Sequence, residues 1–396
     1  MSDAISKTLA PLWVVPGMRL PKLACGMLTV ILPNGRNLVV TGQAEGPSGT
    51  VALHRWRALR RLAFGGDIGF AEAYMDGDWS SPDLAALIEI AARNQSAIPG
   101  AEGGAWPVRL LNRLRHLSRP NTVAGSRRNI VQHYDLGNDF YARWLDRGMS
   151  YSSALFTAPG QDLETAQTAK QDRVLELLDL APGHSALEIG IGWGGVAERL
   201  ARAGARVEGV TLSPSQLAYA KDRLAAAGLQ ADLRLQDYRQ IEGQFDRIVS
   251  IEMLEAVGEE WWPVYFDTLR RRLAADGVIV LQTITIADER FAAYRRNADF
   301  IQRHIFPGGM LPSPQALYEE VDKAGLVVES VQTFGASYAR TLEIWREDFE
   351  AAWPAIAAMG FPARFKRMWE YYLSYCEGGF RAGAIDVGLW RLRHQT

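Results

Sequence analysis

The run Leu187-Glu188-Ile189-Gly190-Ile191-Gly192-Trp193-Gly194-Gly195 is a glycine-rich turn with a carboxylate placed ahead of it. Glycine lets a backbone pass close to a ligand and adopt positive φ without penalty. Such a turn alone serves NAD, another nucleotide, or no ligand at all. The acid is more telling. In a dinucleotide fingerprint a carboxylate lies about 20 residues further on and meets the ribose. Glu188, before the first glycine, would repel a pyrophosphate and attract an ammonium, directly or through water. The next apolar run ends in Gly209-Val210-Thr211-Leu212-Ser213 without a carboxylate, leaving hydroxyls and Gln216 to meet a ribose. Leu235-Gln236-Asp237-Tyr238 then sets a carboxylate that accepts from an amine beside a ring that stacks. The three elements, in this order, suggest an adenosine with an amino-acid tail, that is S-adenosylmethionine.

Those residues need an alternating scaffold, and the chain offers one from about residue 180 onward. Apolar runs predict strands over 185–189, 206–211, 231–235, 245–251, 277–283, 327–334 and 385–392. Helical spacing predicts helices over 195–203, 214–227, 261–273 and 313–324, with Gly204 and Gly228 as C-terminal stops. The first 94 residues read differently. Two apolar runs, 26–32 and 37–42, flank Pro33-Asn34-Gly35-Arg36, a hairpin signal because both Asn and Gly tolerate positive φ. A third strand is expected near 51–56 and a helix over 67–75. Ser81-Pro82-Asp83-Leu84 supplies an N-cap, a first-turn proline and an early acid for a second helix. The expected organisation is therefore an α+β domain over 1–94, a linker over 95–125 and an α/β domain over 126–396.

The linker region carries its own signal. Between Gly103 and Tyr134 there is no acidic residue, while Arg109, Arg113, Arg115, Arg119, Arg127 and Arg128 fall there. On a helix over 107–119, Leu110, Leu111, Leu114 and Leu117 share one face and the arginines occupy the rest. That is a basic amphipathic helix suited to an anionic membrane surface; a helix docked on the protein with solvated arginines fits the same pattern.

Composition narrows the classes. Lys+Arg number 43 against 45 Asp+Glu, a net charge of -2, which excludes a globally basic nucleic-acid binder. Cys25 and Cys376, the two cysteines, make neither a disulfide scaffold nor a cysteine zinc site. No metal spacing links His54, His116, His133, His184, His304 and His394. No apolar run reaches the ~18 residues of a membrane span, and the N-terminus does not read as a secretory signal. A cytoplasmic protein is expected.

The chain resembles the cyclopropane-fatty-acyl-phospholipid synthases and mycolic-acid methyltransferases. The resemblance rests on His133-Tyr134-Asp135-Leu136-Gly137-Asn138-Asp139-Phe140, Met149-Ser150-Tyr151-Ser152-Ser153-Ala154-Leu155-Phe156, Gly209-Val210-Thr211-Leu212-Ser213, Gln236-Asp237-Tyr238-Arg239, Ile305-Phe306-Pro307-Gly308-Gly309, Phe334-Gly335-Ala336-Ser337-Tyr338 and Glu377-Gly378-Gly379-Phe380-Arg381. Residues 69–77 extend it into the first domain, as in the longer bacterial synthases. It implies a class I, Rossmann-like methyltransferase domain with a smaller N-terminal α+β domain. It implies that Tyr151 and Ser152 reach the cofactor, that Glu188, Gly190, Gly192, Thr211, Leu212, Ser213 and Gln216 hold its methionine and ribose parts, and that Asp237 and Tyr238 flank the adenine. The implied substrate is a cis double bond in a phospholipid acyl chain at the membrane surface, which puts the protein on the inner face of the membrane. A homodimer is compatible with the resemblance, and nucleic acid is not implied.

The resemblance also implies a bicarbonate pocket built from Ser153, Glu255, Gln282, Ile284 and Tyr338, in which a proton is removed after methyl addition. Aromatic faces, with Tyr338 and residues 369–372 as candidates, would steady the intervening cation. Here the chain departs from the family. Ala256 follows the glutamate where His is usual, Ser153 replaces Cys, and Gln282 stands before Thr283-Ile284 in place of His. Gln hydrogen-bonds an anion but carries no proton as His does. Cyclopropane made with Gln in place of His, and a methyl-branched or methylene product (including a furan fatty acid precursor), both stay open. So do a methyltransferase for a soluble small molecule and a non-catalytic lipid-binding protein.

Overall fold

The computed structural model describes residues 22–95 and 136–395. The amphipathic segment 107–119, most of the linker and the His133-Tyr134-Asp135 tripeptide lie outside them. The chain divides into two units, 1–110 and 111–396.

In the first unit β1 (Cys25–Ile31) and β2 (Asn37–Thr41) pair antiparallel. The turn between them has Gly35 at φ +79° and the Asn34 side chain accepting from the Arg36 amide, which is the hairpin the Asn-Gly pair predicts. β3 (Ala44–Leu53) runs parallel to β1, seven residues ahead of the predicted start. α1 (Arg57–Met75) begins ten residues before its predicted start. Gly66, at φ +61°, interrupts it, so the helical spacing visible from Asp67 belongs only to its second half. β4 (Trp79–Ser80) completes a four-stranded sheet in the order β2-β1-β3-β4. α2 spans Leu84–Arg93. Its cap is Asp83, whose carboxylate accepts from the Ala86 amide at 2.9 Å; Ser81 and Pro82 lie outside the helix. A carboxylate directly before the helix reaches that amide, whereas the Ser81 hydroxyl is spent on the Asp83 carbonyl. Buried Asn94 then ties the end of α2 to β1 by accepting from the Ala24 and Cys25 amides.

The second unit alternates as its sequence predicts. After α3 (Asn138–Tyr141) and α4 (Leu163–Leu177) come β5 (Ser185–Ile189), α5 (Gly195–Arg202), β6 (Arg206–Thr211), α6 (Pro214–Ala226), β7 (Asp232–Leu235) and β8 (Phe245–Ile251). Then follow α7 (Leu254–Val257), α8 (Trp262–Arg272), β9 (Leu273–Ile286), α9 (Asp288–Tyr294), α10 (Phe300–His304), α11 (Pro314–Lys323) and β10 (Leu326–Thr333). Two long helices, α12 (Gly335–Ala358) and α13 (Ala363–Arg381), precede β11 (Ile385–His394). The seven strands lie in the order β10-β11-β9-β8-β5-β6-β7. β11 is antiparallel to both its neighbours, and the five strands from β9 to β7 are parallel.

Parallel strands covered on both faces read as unbroken apolar runs. Val278, Ile279, Val280 and Leu281 of β9 are all buried, as are Leu187 and Ile189 of β5 and Ile248 of β8. Each such side chain stabilises the fold by about 1.5–3 kcal/mol. β5 lies between β6 and β8, where chain order reverses, and a sheet of this kind opens its ligand crevice beyond the carboxyl ends of its strands at that point.

Candidate active site

The turn after β5 is pinned to the sheet: the amides of Gly190 and Ile191 both donate to the Val210 carbonyl of β6. Gly190 and Gly192 have φ of +87° and +50°. A Cβ built on Gly192 would meet no atom of the protein within 4 Å, so the backbone there borders open space. A Cβ on Gly209 would lie 2.5 Å from Ile191 Cγ2, so this β6 glycine lets the turn sit down on the strand.

Glu188, at the end of β5, is 2% exposed, and its Oε2 has no hydrogen-bond partner among the described residues. Burial pushes its carboxyl up to about 8, against the opposing pull of the Ala197 amide, Lys170 and Arg223. An arriving ammonium would satisfy Oε2 and restore the charge. Thr211 Oγ1 lies 3.3 Å from Gln216 Oε1 and accepts from the Ser213 amide. Ser213 caps α6, and Leu212 between them is half-buried. Asp237 is buried in a two-pronged pair with Arg239, both contacts 2.7 Å, beside the buried ring of Tyr238. From the segment ahead of α4, the Tyr151 hydroxyl meets that of Tyr372 at 2.8 Å, and Ser152 Oγ accepts from Lys170 Nζ at 2.7 Å. The orphaned acid, the open glycine turn and the hydroxyl-amide set fit S-adenosylmethionine.

Three residues of the expected bicarbonate pocket come together on the carboxylate of Glu252, and Glu255 and Ile284 pair beside them. The Ser153 amide and Gln282 Nε2 donate to Glu252 Oε1 at 2.9 and 2.7 Å, and the Tyr338 hydroxyl donates to Glu252 Oε2 at 2.6 Å. The Ser153 hydroxyl itself turns to the Ala154 carbonyl. Glu255 sits on α7, just beyond the end of β8. Its Oε1 accepts from the Ile284 amide at 2.5 Å and from Thr283 Oγ1 at 3.1 Å. Two carboxylates therefore share one site. Burial, then the charge of Glu252, pushes the Glu255 carboxyl up to about 8. Burial also raises that of Glu252, opposed by Tyr338, Ser153, Lys170 and Gln282.

Aromatic rings line the same region. Tyr338 faces Trp345 edge-on at 6.1 Å and lies 4.5 Å from Phe380, while Tyr151 lies 5.3 Å from Trp345. Trp369 and Tyr372 meet at 5.2 Å. Tyr371 instead packs on Phe300.

Glu252 and Lys170 are the site residues that sequence reasoning missed. Glu252 stands three positions before Glu255, and that spacing by itself marks no site. Lys170, 1% exposed and pushed down to about 8 by burial, had no local signal, because a lysine on a helix normally reads as surface. Among the described residues no group of His, Cys, Asp and Glu could hold a metal ion, and no helix is long and apolar enough to cross a membrane.

Comparison with known proteins places this geometry. A family model described as mycolic acid cyclopropane synthetase matches residues 122–390. The chain is 40% identical over 371 residues to a tuberculostearic acid methyltransferase of Mycobacterium tuberculosis, covering 89% of this chain and 85% of that protein. It is 38% identical over 348 residues to the cyclopropane-fatty-acyl-phospholipid synthase of Escherichia coli, covering 84% of each. A crystal structure of a mycolic acid cyclopropane synthase complexed with SAH and CTAB is 33% identical, with a TM-score of 0.63 over 67% of this chain and 97% of that one. Coclaurine N-methyltransferase, 19% identical with a TM-score of 0.61, shares the fold. The chain belongs to the mycolic acid cyclopropane synthetase family, S-adenosylmethionine-dependent methyltransferases of lipid double bonds built on the class I Rossmann-like fold.

Proposed function

We propose that the protein methylates a cis double bond within an unsaturated phospholipid acyl chain at a membrane surface, and that its product is a methyl-branched or methylene-bearing chain. The observation that carries this reading is the pair of carboxylates, Glu252 and Glu255, gathered with the Tyr338 phenol beside a cluster of aromatic rings. When bound, S-adenosylmethionine supplies an electrophilic methyl group. An alkene is a weak nucleophile, so the chain's part is to align it in a dry cleft and to steady the positive charge left in the acyl chain. The faces of Tyr338, Tyr151 and Trp345 suit that charge. One carboxylate of the pair then stands ready for a proton. Glu188 holds the cofactor's ammonium, and Gly190 and Gly192 let its methionine part lie against the backbone. The basic segment 107–119 brings the enzyme to lipids that do not leave the bilayer.

Cyclopropane is the second reading, favoured by the 38% identity to the Escherichia coli synthase. Incubating the protein with methyl-labelled cofactor and vesicles of dioleoyl phosphatidylglycerol, followed by mass spectrometry of the acyl chains, tests both. Labelled branched or methylene chains support the proposal, labelled cyclopropane supports the second reading, and label found only in soluble molecules overturns both.

A further inference from the structure

We infer that the side chain of Glu252 fills the site in which the family resemblance places a bicarbonate ion, and that this carboxylate is the proton acceptor of the reaction. The inference rests on the acyl-chain reading above for the identity of the proton donor, but not for what occupies the site. Three donors from three separate parts of the chain converge on one carboxylate: the Ser153 amide, the Gln282 amide group and the Tyr338 hydroxyl. Both carboxylate oxygens are engaged, as both oxygens of a bound carbonate-type anion would be. The donors that would hold such an ion are spent, so the residues present do not fit a bicarbonate.

The backbone supports the assignment. Glu252 has φ +48°, a left-handed conformation that is unfavourable for a non-glycine residue. Its amide is held there by the Gln282 carbonyl at 2.8 Å. Strain of this kind persists where the surroundings over-determine a side chain's position. Glu252 as a residue is half-buried, unlike the fully buried Gln282 and Ser153 that flank it.

Gln282 takes on a clear role in this arrangement. Its Nε2 donates to the carboxylate without competing for the proton, which a histidine at this position would do. Glu255, facing the Glu252 charge, keeps its own proton at neutral pH, and Lys170 supplies a compensating positive charge. In the step itself a C–H bond of the methylated, cationic acyl chain breaks. Its electron pair forms the new carbon–carbon bond, either closing a ring or making a double bond at the cationic carbon. The proton passes to an oxygen of Glu252, which becomes the neutral acid and returns the proton to solvent after product leaves.

The test uses the full chain, isotope-labelled bicarbonate and dioleoyl phosphatidylglycerol vesicles with methyl-labelled cofactor. Wild type should bind no labelled bicarbonate and should turn over equally fast in carbon-dioxide-depleted buffer. Glu252→Gln should lose about 100-fold or more in turnover, the scale of a missing general base, with cofactor affinity unchanged. Glu252→Gly, which accepts φ +48° without strain and so should fold, should bind labelled bicarbonate and regain turnover when it is added. Bicarbonate binding to wild type, bicarbonate-dependent wild-type turnover, or Glu252→Gln activity within about threefold of wild type would each overturn the inference. If wild type methylates no acyl chain, the acyl-chain reading fails, and the binding of bicarbonate to wild type and Glu252→Gly still decides what fills the site.

Discussion

The Tyr338 hydroxyl donates to Glu252 and not to Glu255, although Glu255 is the acid that matches the family motif. Tyr338 lies in the first turn of α12 and Glu252 directly follows β8, so this one contact joins the helical layer to the sheet at the proposed proton-transfer site. Tyr338→Phe should therefore lower turnover by about tenfold to a hundredfold, the scale of a lost hydrogen bond to a charged group. Cofactor affinity should hold, because the phenol acts on the later cation and proton and not on the ground state. Steady-state kinetics beside calorimetry would show this, and an equal loss in both would return Tyr338 to a packing role.

Gly192→Val should remove cofactor binding while the chain still folds. The side chain would project into the open space beside the turn. Its cost to the fold is confined to a β-branched residue at φ +50°, about 1–2 kcal/mol. Affinity for S-adenosylmethionine near the wild-type value would place the cofactor elsewhere.

Gln282→His should change the product mixture more than the rate of methyl transfer. Imidazole would place a titratable group against Glu252 and compete for the proton. A larger cyclopropane fraction among labelled acyl chains is the expected outcome. An unchanged mixture would separate this position from product choice.

Stability of the ligand-free protein should fall as pH rises from about 5 to about 8. Glu188 holds its proton up to about 8 in the folded chain, against 4.5 unperturbed. The folded state therefore binds the extra proton across that window. The stability this confers is complete below the unfolded value and is lost as pH passes the folded one. Glu255 contributes with the same sign. Lys170, lowered from 10.5 to about 8, acts oppositely and only above that window. Glu188→Gln should flatten the fall in unfolding temperature, and an unaltered slope would mean that Glu188 is not what titrates.

Charge reversal at Arg109, Arg113 and Arg115 should weaken binding to anionic vesicles, since each basic residue near such a surface is worth about 1 kcal/mol. Wild-type co-sedimentation should also decline with added salt. Salt-independent binding would assign the segment to packing within the protein.

Much of the sheet was legible because buried parallel strands are written as continuous apolar runs, and Ser185–Ile189 matched to the residue. The two helices before β11 were not: Tyr338, Trp345, Phe349 and Trp353 recur at helical spacing along one face of α12, but Pro354 inside it reads as a break. In the site, the glycine turn and its acid announced themselves through local spacing. Glu252 did not, because its donors lie 99, 30 and 86 residues away in the chain. Only the folded sheet brings them to one carboxylate, and a family motif drew attention to Glu255 three residues on.

β11 has a consequence for how the molecule is made. It lies between β9 and β10, and its Leu389 sits opposite Gln282. A ribosome therefore releases every residue of the proton-accepting site well before the strand that backs it. Until then β9 presents a bare edge and β10 has no neighbour to join, a long-range closure that is slow and prone to mispairing. A chain stalled near residue 380 would hold the cofactor turn, both glutamates and the tyrosine, yet lack the strand that fixes Gln282 beneath them. The order of the chain thus makes the centre depend on a strand that is synthesised after every residue within it.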